Sequence, residues 1–505
     1  MRWQELLVQT ARERQHGFVA KILRPGDRKT INLKARKTGQ RKPLQGGSNF
    51  TTSGWVTPSI VGLLCLGLLI AAYERGHGNF HKLQTRINPP APTEVVPPGP
   101  GGQDPVRLSR SASNIGKNAE LISATFLPGR GMNVFQITAM IPGHGEVPLL
   151  VSPELASAAG IMSGQDEDAN GSASTSLGGA ILVPWAQSLS GTPTGTPGVL
   201  QTAWNGRRLT FPAANSRSNM SVEGLLLSRG ADSVKSDVLP DGQSASAVFN
   251  AGDFTGRWPS TIEVTVQAQL TSHDLDLTVT ATNTGQQPAP FGVGWHPFFS
   301  IPSGNRSNAL LRIPSQSIME VDHRSGLPTG RMVTVHNSLS DFSQSGGTRL
   351  GMDSLNETYT NLKSGVGSGP VAEISDPAYN FKLSVIPLTA SISNLRVIAP
   401  ADKSWVSIGP NTNLDDPFGP EWGNPENAGM VTLAPGATLR WKVRIEISLL
   451  GAASASVPLT AAQSPRQQQS RCGRLWRGGL TLALHTRILR LGEPYGWFAE
   501  RILRS

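Results

Sequence analysis

Phe291-Gly-Val-Gly-Trp-His-Pro-Phe-Phe299 sets a single histidine, His296, between aromatic side chains, directly after a long period-2 stretch. In that stretch Ile262, Val264, Val266, Ala268 and Leu270 alternate with mostly polar residues, and Leu275, Leu277, Val279 and Ala281 do the same. Successive side chains of a strand point to opposite faces, so the pattern predicts a β-hairpin turning at Thr271–Asp274. Leu439, Trp441, Val443, Ile445 and Ile447 alternate with Arg440, Lys442, Arg444 and Glu446, which predicts a closing strand with one buried face. Short apolar runs separated by turn residues recur between these points, and no sustained 3.6-residue period interrupts them. An all-β sandwich over residues 119–450 is the expected fold. Within it Gly160–Ser176, rich in Gly, Ser, Ala and Asp, reads as a solvated loop.

Composition agrees. The 505 residues include 55 Gly and 38 Pro, with 38% hydrophobic residues, a balance that suits short strands and turns. Only two cysteines occur, Cys65 and Cys472, which argues against a disulfide framework or a cysteine zinc site. The histidines are scattered without metal-ligand spacing, so neither a metal nor a cofactor is expected. The net charge of +10 is unevenly placed. Residues 119–450 hold 19 Lys and Arg against 27 Asp and Glu, a balance of −8, and the flanks carry the excess of positive charge. An acidic central domain argues against nucleic-acid binding.

The flanks divide further. Residues 1–54 are polar and basic. Trp55 to Tyr73 reads WVTPSIVGLLCLGLLIAAY, 19 residues without a charge. At 1.5 Å per residue such a helix spans about 28 Å, close to a bilayer's hydrocarbon core. Denser basic residues before it than after it predict a cytoplasmic N-terminus and a periplasmic or extracellular domain. A cleaved signal peptide and a buried core helix are the competing readings. Residues 74–118 include Asn88-Pro-Pro-Ala-Pro-Thr-Glu-Val-Val-Pro-Pro-Gly-Pro100, a composition that favours an extended spacer. Residues 451–505 form an arginine-rich tail, read either as a membrane-surface segment or as a solvated basic tail.

The central region resembles the aldose 1-epimerase (galactose mutarotase-like) family, whose acid histidine lies in a Gly-Trp-His-Pro-aromatic motif. His296 matches that position. Pro128-Gly-Arg-Gly-Met-Asn-Val-Phe-Gln136 looks like the family's opening strand and turn, and Leu327-Pro-Thr-Gly330 is a turn the family also shows. The resemblance implies a galactose mutarotase-like β-sandwich (supersandwich) that takes a monosaccharide or glycan and uses no cofactor. Other positions depart from the pattern. Gly178-Gly-Ala-Ile-Leu-Val-Pro-Trp-Ala-Gln187 ends in Gln187 and Ser188, where the family has Asn-Arg. Ser221-Val-Glu-Gly-Leu-Leu226 places Glu223 at a substrate-binding histidine. In Leu355-Asn-Glu-Thr-Tyr-Thr-Asn-Leu362, Asn356 and Glu357 stand for sugar-binding acids, with Asp353 near enough to serve. In Val406-Ser-Ile-Gly-Pro-Asn-Thr-Asn-Leu-Asp-Asp-Pro-Phe418, Gly409 occupies the place of the base glutamate.

Mutarotation needs a base to take the anomeric hydroxyl proton and an acid to protonate the ring oxygen. The resemblance assigns the acid to His296 and leaves Glu223, Asp415 and Asp416 as candidate bases. Trp185, Trp295, Phe298, Trp405 and Trp422 are candidate stacking surfaces for a sugar face, against the competing reading that most are core. Two functions are therefore expected. One is an isomerase of the aldose 1-epimerase type, with a variant in which Glu223 acts on a modified sugar. The other is a non-catalytic carbohydrate-binding domain tethered to a membrane.

Overall fold

A computed structural model describes residues 99–451, apart from 114–115, 165–167, 216, 222 and 366–368, together with six residues between 65 and 73. The expected basic N-terminal segment, most of residues 55–98 and the tail after Gly451 lie outside the described residues. Cys65, Leu66, Leu68, Leu69, Ala72 and Tyr73 are helical and exposed. Among the described residues no helix is long and apolar enough to cross a membrane. The expected transmembrane helix is thus not seen in them.

Two antiparallel sheets make the sandwich. The larger has 12 strands and runs, in spatial order, from Val106–Ser109 through Glu120–Leu127, Asn133–Ile141, Gly179–Leu182, Gly294–Pro297, Trp405–Asn411, Asn394–Ala399 and Leu355–Thr360 to Ser317–Val321 and Pro328–Thr334. The smaller has nine strands and contains the predicted hairpin, Ile262–Leu270 paired with Asp274–Asn283. The closing strand, Thr438–Leu449, pairs with that hairpin and buries the five apolar side chains that alternate along it. Apolar residues of both sheets form one core, which includes Phe126, Trp295 and Tyr359 from one side and Phe249, Val279 and Trp441 from the other. Complete burial of such side chains is worth roughly 1.5–3 kcal/mol each, so the facing apolar stripes dominate the energetics.

Two segments differ from the sequence expectation. The folded region reaches further towards the N-terminus than Glu120. Val106–Ser109 pairs with Glu120–Leu127, Pro100 is buried, and the Gln103 amide bonds to the Ala231 backbone. The end of the Pro/Gly-rich spacer is therefore part of the sandwich edge.

Gly160–Ser176 is not a solvated loop along its length. Met162, Asp168 and Ser174 are fully buried. Asp168 accepts hydrogen bonds from the Ala173 N–H at 2.8 Å and the Ser174 hydroxyl at 2.9 Å, and it meets the Arg130 guanidinium at 3.3 Å. Arg130 also donates to the carbonyls of Met162, Asp168 and Leu227. Burial pushes the Asp168 carboxyl up, against the pull of Arg130. Small polar residues here supply hydrogen bonds to an interior ion pair whose cation lies some 40 positions away.

Breaking a buried pair by removing one partner costs about 3–5 kcal/mol, because the other charge stays behind. Asp168→Ala and Arg130→Met should each lower the unfolding free energy by about that much, and the double variant should lose less than the sum of the two. Denaturant titration of the three variants measures this, and additive losses would show that the two charges are not coupled.

Candidate active site

The site is built on the middle of the large sheet. Gly294–Pro297 hangs between Gly179–Leu182 on one side and Trp405–Asn411 on the other. Alternation turns Trp295 inward, where it is fully buried and donates its indole N–H to the Gly179 carbonyl at 3.0 Å. Its neighbour His296 therefore emerges on the opposite face. Gly294 is required by close approach, since a Cβ there would lie 2.1 Å from Asn411 Oδ1 and 2.5 Å from Ala186 Cβ.

His296 Nδ1 lies 3.0 Å from Glu223 Oε2. Glu223 comes from a loop pinned to the strand beside it, with the Leu225 N–H donating to the Val183 carbonyl at 2.6 Å. Gly224 makes the turn at a φ of 69°, where a side chain would collide with the Val183 backbone. Burial raises the Glu223 carboxyl, but the charge and hydrogen bond of His296 and the charge of Arg396 outweigh it, and the group is held below the usual glutamate value. An ionised carboxylate only accepts, so Nδ1 carries the proton in this bond. Nε2 is buried and has no hydrogen-bond partner among the described residues. The ring stacks on Phe298, with centroids 4.8 Å apart, and Phe298 meets Trp405 edge-on at 4.9 Å.

Arg396 was not expected from the sequence. It lies on Asn394–Ala399, directly across from Gly409. Its guanidinium donates to Asn356 Oδ1 at 2.6 Å and Thr358 Oγ1 at 3.0 Å, and lies 3.5 Å from Asp415 Oδ2. A polar residue alternating with buried Leu395 and Val397 reads as solvent-facing, and only the register shows that it reaches the acids. Asp415 accepts the Ser188 N–H at 3.3 Å. Burial raises its carboxyl above the usual range, while Arg396 opposes the rise and the nearby charges of Glu223 and Asp416 add to it.

The structure thus brings His296, Glu223 and Asp415 around Arg396, with Asn356 at the rim. The remaining candidates are placed differently. Asp416 is buried, and both its carboxylate oxygens are taken up by the Ser190 N–H and hydroxyl, at 2.8 and 2.6 Å. Gln187 is buried in a bonded web with Asn394, Asn413 and Thr358. Glu357 accepts from Ser340 at 3.2 Å, and burial pushes its carboxyl up. The Asp353 side chain is exposed, and its carbonyl accepts from Arg306. Trp185, Trp295 and Trp422 are core, whereas Phe298 and Trp405 are half-buried beside His296. At Gly409 a Cβ would lie 2.7 Å from the Trp295 carbonyl oxygen, so this backbone leaves no room for a glutamate there. Among the described residues no cluster of three or more His, Cys, Asp or Glu is placed to hold a metal ion.

Residues 201–446 match the aldose 1-epimerase family profile. This match, over just under half of the chain, supports membership of that family. Its fold is shared with a galactose mutarotase-like protein from Clostridium acetobutylicum at 18% identity, covering 66% of this chain and 95% of that one with a TM-score of 0.54. It is shared equally with a GalM/aldose epimerase homologue from C. elegans, at 16% identity, 68% and 99% coverage and a TM-score of 0.52. No curated protein matches the sequence. The family and the fold support a sugar epimerase-like function in general terms.

Proposed function

We propose that this protein interconverts the α and β anomers of an aldose by acid–base ring opening, with His296 as acid and Asp415 as base. The observation that carries the reading is the unpartnered Nε2 of His296, buried and held by the Glu223 bond on the far side of the ring. In the forward step Nε2–H gives its proton to the ring oxygen while a carboxylate takes the proton of the anomeric hydroxyl. The C1–O bond breaks, the open chain rotates about C1–C2, and closure on the other face returns both protons. Glu223 accepts the Nδ1 proton and orients the ring, and in the imidazolium form Nε2 carries the second proton, the one that is donated. Asp415 suits the base because its carboxyl is raised by burial, which brings it nearer the working pH. Phe298 and Trp405 offer an aromatic wall to the sugar face.

Sugar binding without turnover is the second reading, favoured by the geometry at Gly409, which keeps the family's base out of its usual place. Polarimetry of α-glucose and α-galactose with the purified full chain separates the two. Catalysis predicts acceleration above buffer that falls by roughly 10²–10⁴-fold in His296→Ala and in Asp415→Asn. The rate of the wild type should fall as pH drops through the raised Asp415 value, because a protonated carboxyl cannot accept the anomeric proton. Saturable quenching of tryptophan fluorescence by sugar with no acceleration would select binding alone.

The same reading places the sandwich outside a membrane, tethered by residues 55–73. It is supported by the uncharged run and the basic residues that precede it. Protease added to intact cells should digest the sandwich and leave an N-terminal fragment. Full protection in intact cells, with digestion after lysis, would discard the tethered orientation.

A further inference from the structure

A second cleft, away from His296, has a volume of about 350 Å³ and holds two arginines. Arg229 and Arg257 both line it, each half-buried, and are near enough for their charges to repel. The floor is the turn after the Gly242–Gly252 strand, where two consecutive non-glycine residues, Phe254 at φ 52° and Thr255 at φ 63°, occupy the left-handed region. Side chains are strained there, and such strain gathers at binding and switch sites. The turn sets the Phe254 ring beneath Arg229, whose guanidinium carbon lies 5.9 Å from the ring centroid. Ser228 and Thr255 are exposed at the rim.

The electrostatics of the pair are unbalanced. Among the described residues neither guanidinium meets a carboxylate or makes a side-chain hydrogen bond. The nearest acid on the turn, Asp253, spends its carboxylate on the Gly256 N–H at 2.8 Å. Asp232, on the neighbouring segment, accepts the Asn250 N–H at 2.6 Å. Burial and the charge of Arg229 both push Arg257 down. Two like charges brought together in a concave, partly desolvated place are stabilised by an anion that offers oxygens to both forks.

We propose that the Arg229–Arg257 cleft binds a small dianionic group of the phosphate type. Two guanidiniums match a dianion better than a single carboxylate, since each can present paired N–H donors to adjacent oxygens. The cleft volume falls within the usual range for small-ligand sites. It begins at Leu225, two residues beyond Glu223, so an occupied cleft would stiffen the loop that carries the partner of His296.

Titration of the full chain with inorganic phosphate by calorimetry tests this, at constant ionic strength and with acetate as the monoanionic control. The expected result is saturable phosphate binding, weak acetate binding, and a loss of about tenfold or more in phosphate affinity in Arg257→Gln and in Arg229→Gln. In phosphate-free buffer Arg257→Gln should hold or raise the Tm, because it removes a repelled and desolvated charge. Arg257→Lys, which keeps the charge but loses the fork, should bind phosphate more weakly than the wild type. Absence of saturable phosphate binding, or binding indifferent to both glutamine variants, would overturn the proposal. A lowered Tm in Arg257→Gln without phosphate binding would also overturn it, since it would mean that a carboxylate of the chain already neutralises the pair.

Discussion

The structure turns on a lack of space at the centre of the large sheet. Gly294 must lack a side chain for Asn411 and Ala186 to approach, and Gly179 must lack one for the Trp295 indole to reach its carbonyl. Those contacts fix the height and rotation of the strand Gly294–Pro297. Once Trp295 is committed to the core, His296 has no choice but the opposite face. The aromatic wall of Phe298 and Trp405, and the bond from Nδ1 to Glu223, then follow from the same short strand. A packing constraint is thereby converted into an oriented imidazole.

Around that imidazole the charges are interdependent. Arg396 lowers Glu223, restrains Asp415 and donates to Asn356 and Thr358. Its place across from Gly409 links two features that look unrelated along the chain. The Trp295 carbonyl leaves no room for a side chain at Gly409, and the adjacent strand places a cation across from it. The acidic groups around Arg396 stand on loops at the strand ends, Glu223 on one and Asp415 on another. The two carboxyls are pushed in opposite directions from their ordinary values, a separation that suits one to a fixed charge and the other to proton transfer.

The period-2 runs made the sandwich legible, because burial of alternate residues is a local and repetitive requirement. The hairpin Ile262–Asn283 and the strand Thr438–Leu449 appear where alternation places them. The motif at Gly294–Pro297 was legible for a related reason, as each of its residues meets a distinct packing demand. Arg396 and Gly160–Ser176 were not. An arginine between buried neighbours looks like any solvent-facing residue until strand register is known. Small polar residues look solvated until a distant arginine is buried among them. Both depend on contacts between positions far apart in sequence, which local composition does not encode.

The central claim is that Glu223 holds the Nδ1 proton so that Nε2 of His296 is free to act on a sugar. Nitrogen-15 NMR of the histidine side chains, with and without a saturating aldose, addresses it directly. The account predicts a bonded proton on Nδ1 that is lost in Glu223→Gln, and an Nε2 resonance that moves when sugar is added. An Nε2 resonance unmoved by a sugar that demonstrably binds would contradict it, and would place the ligand away from His296.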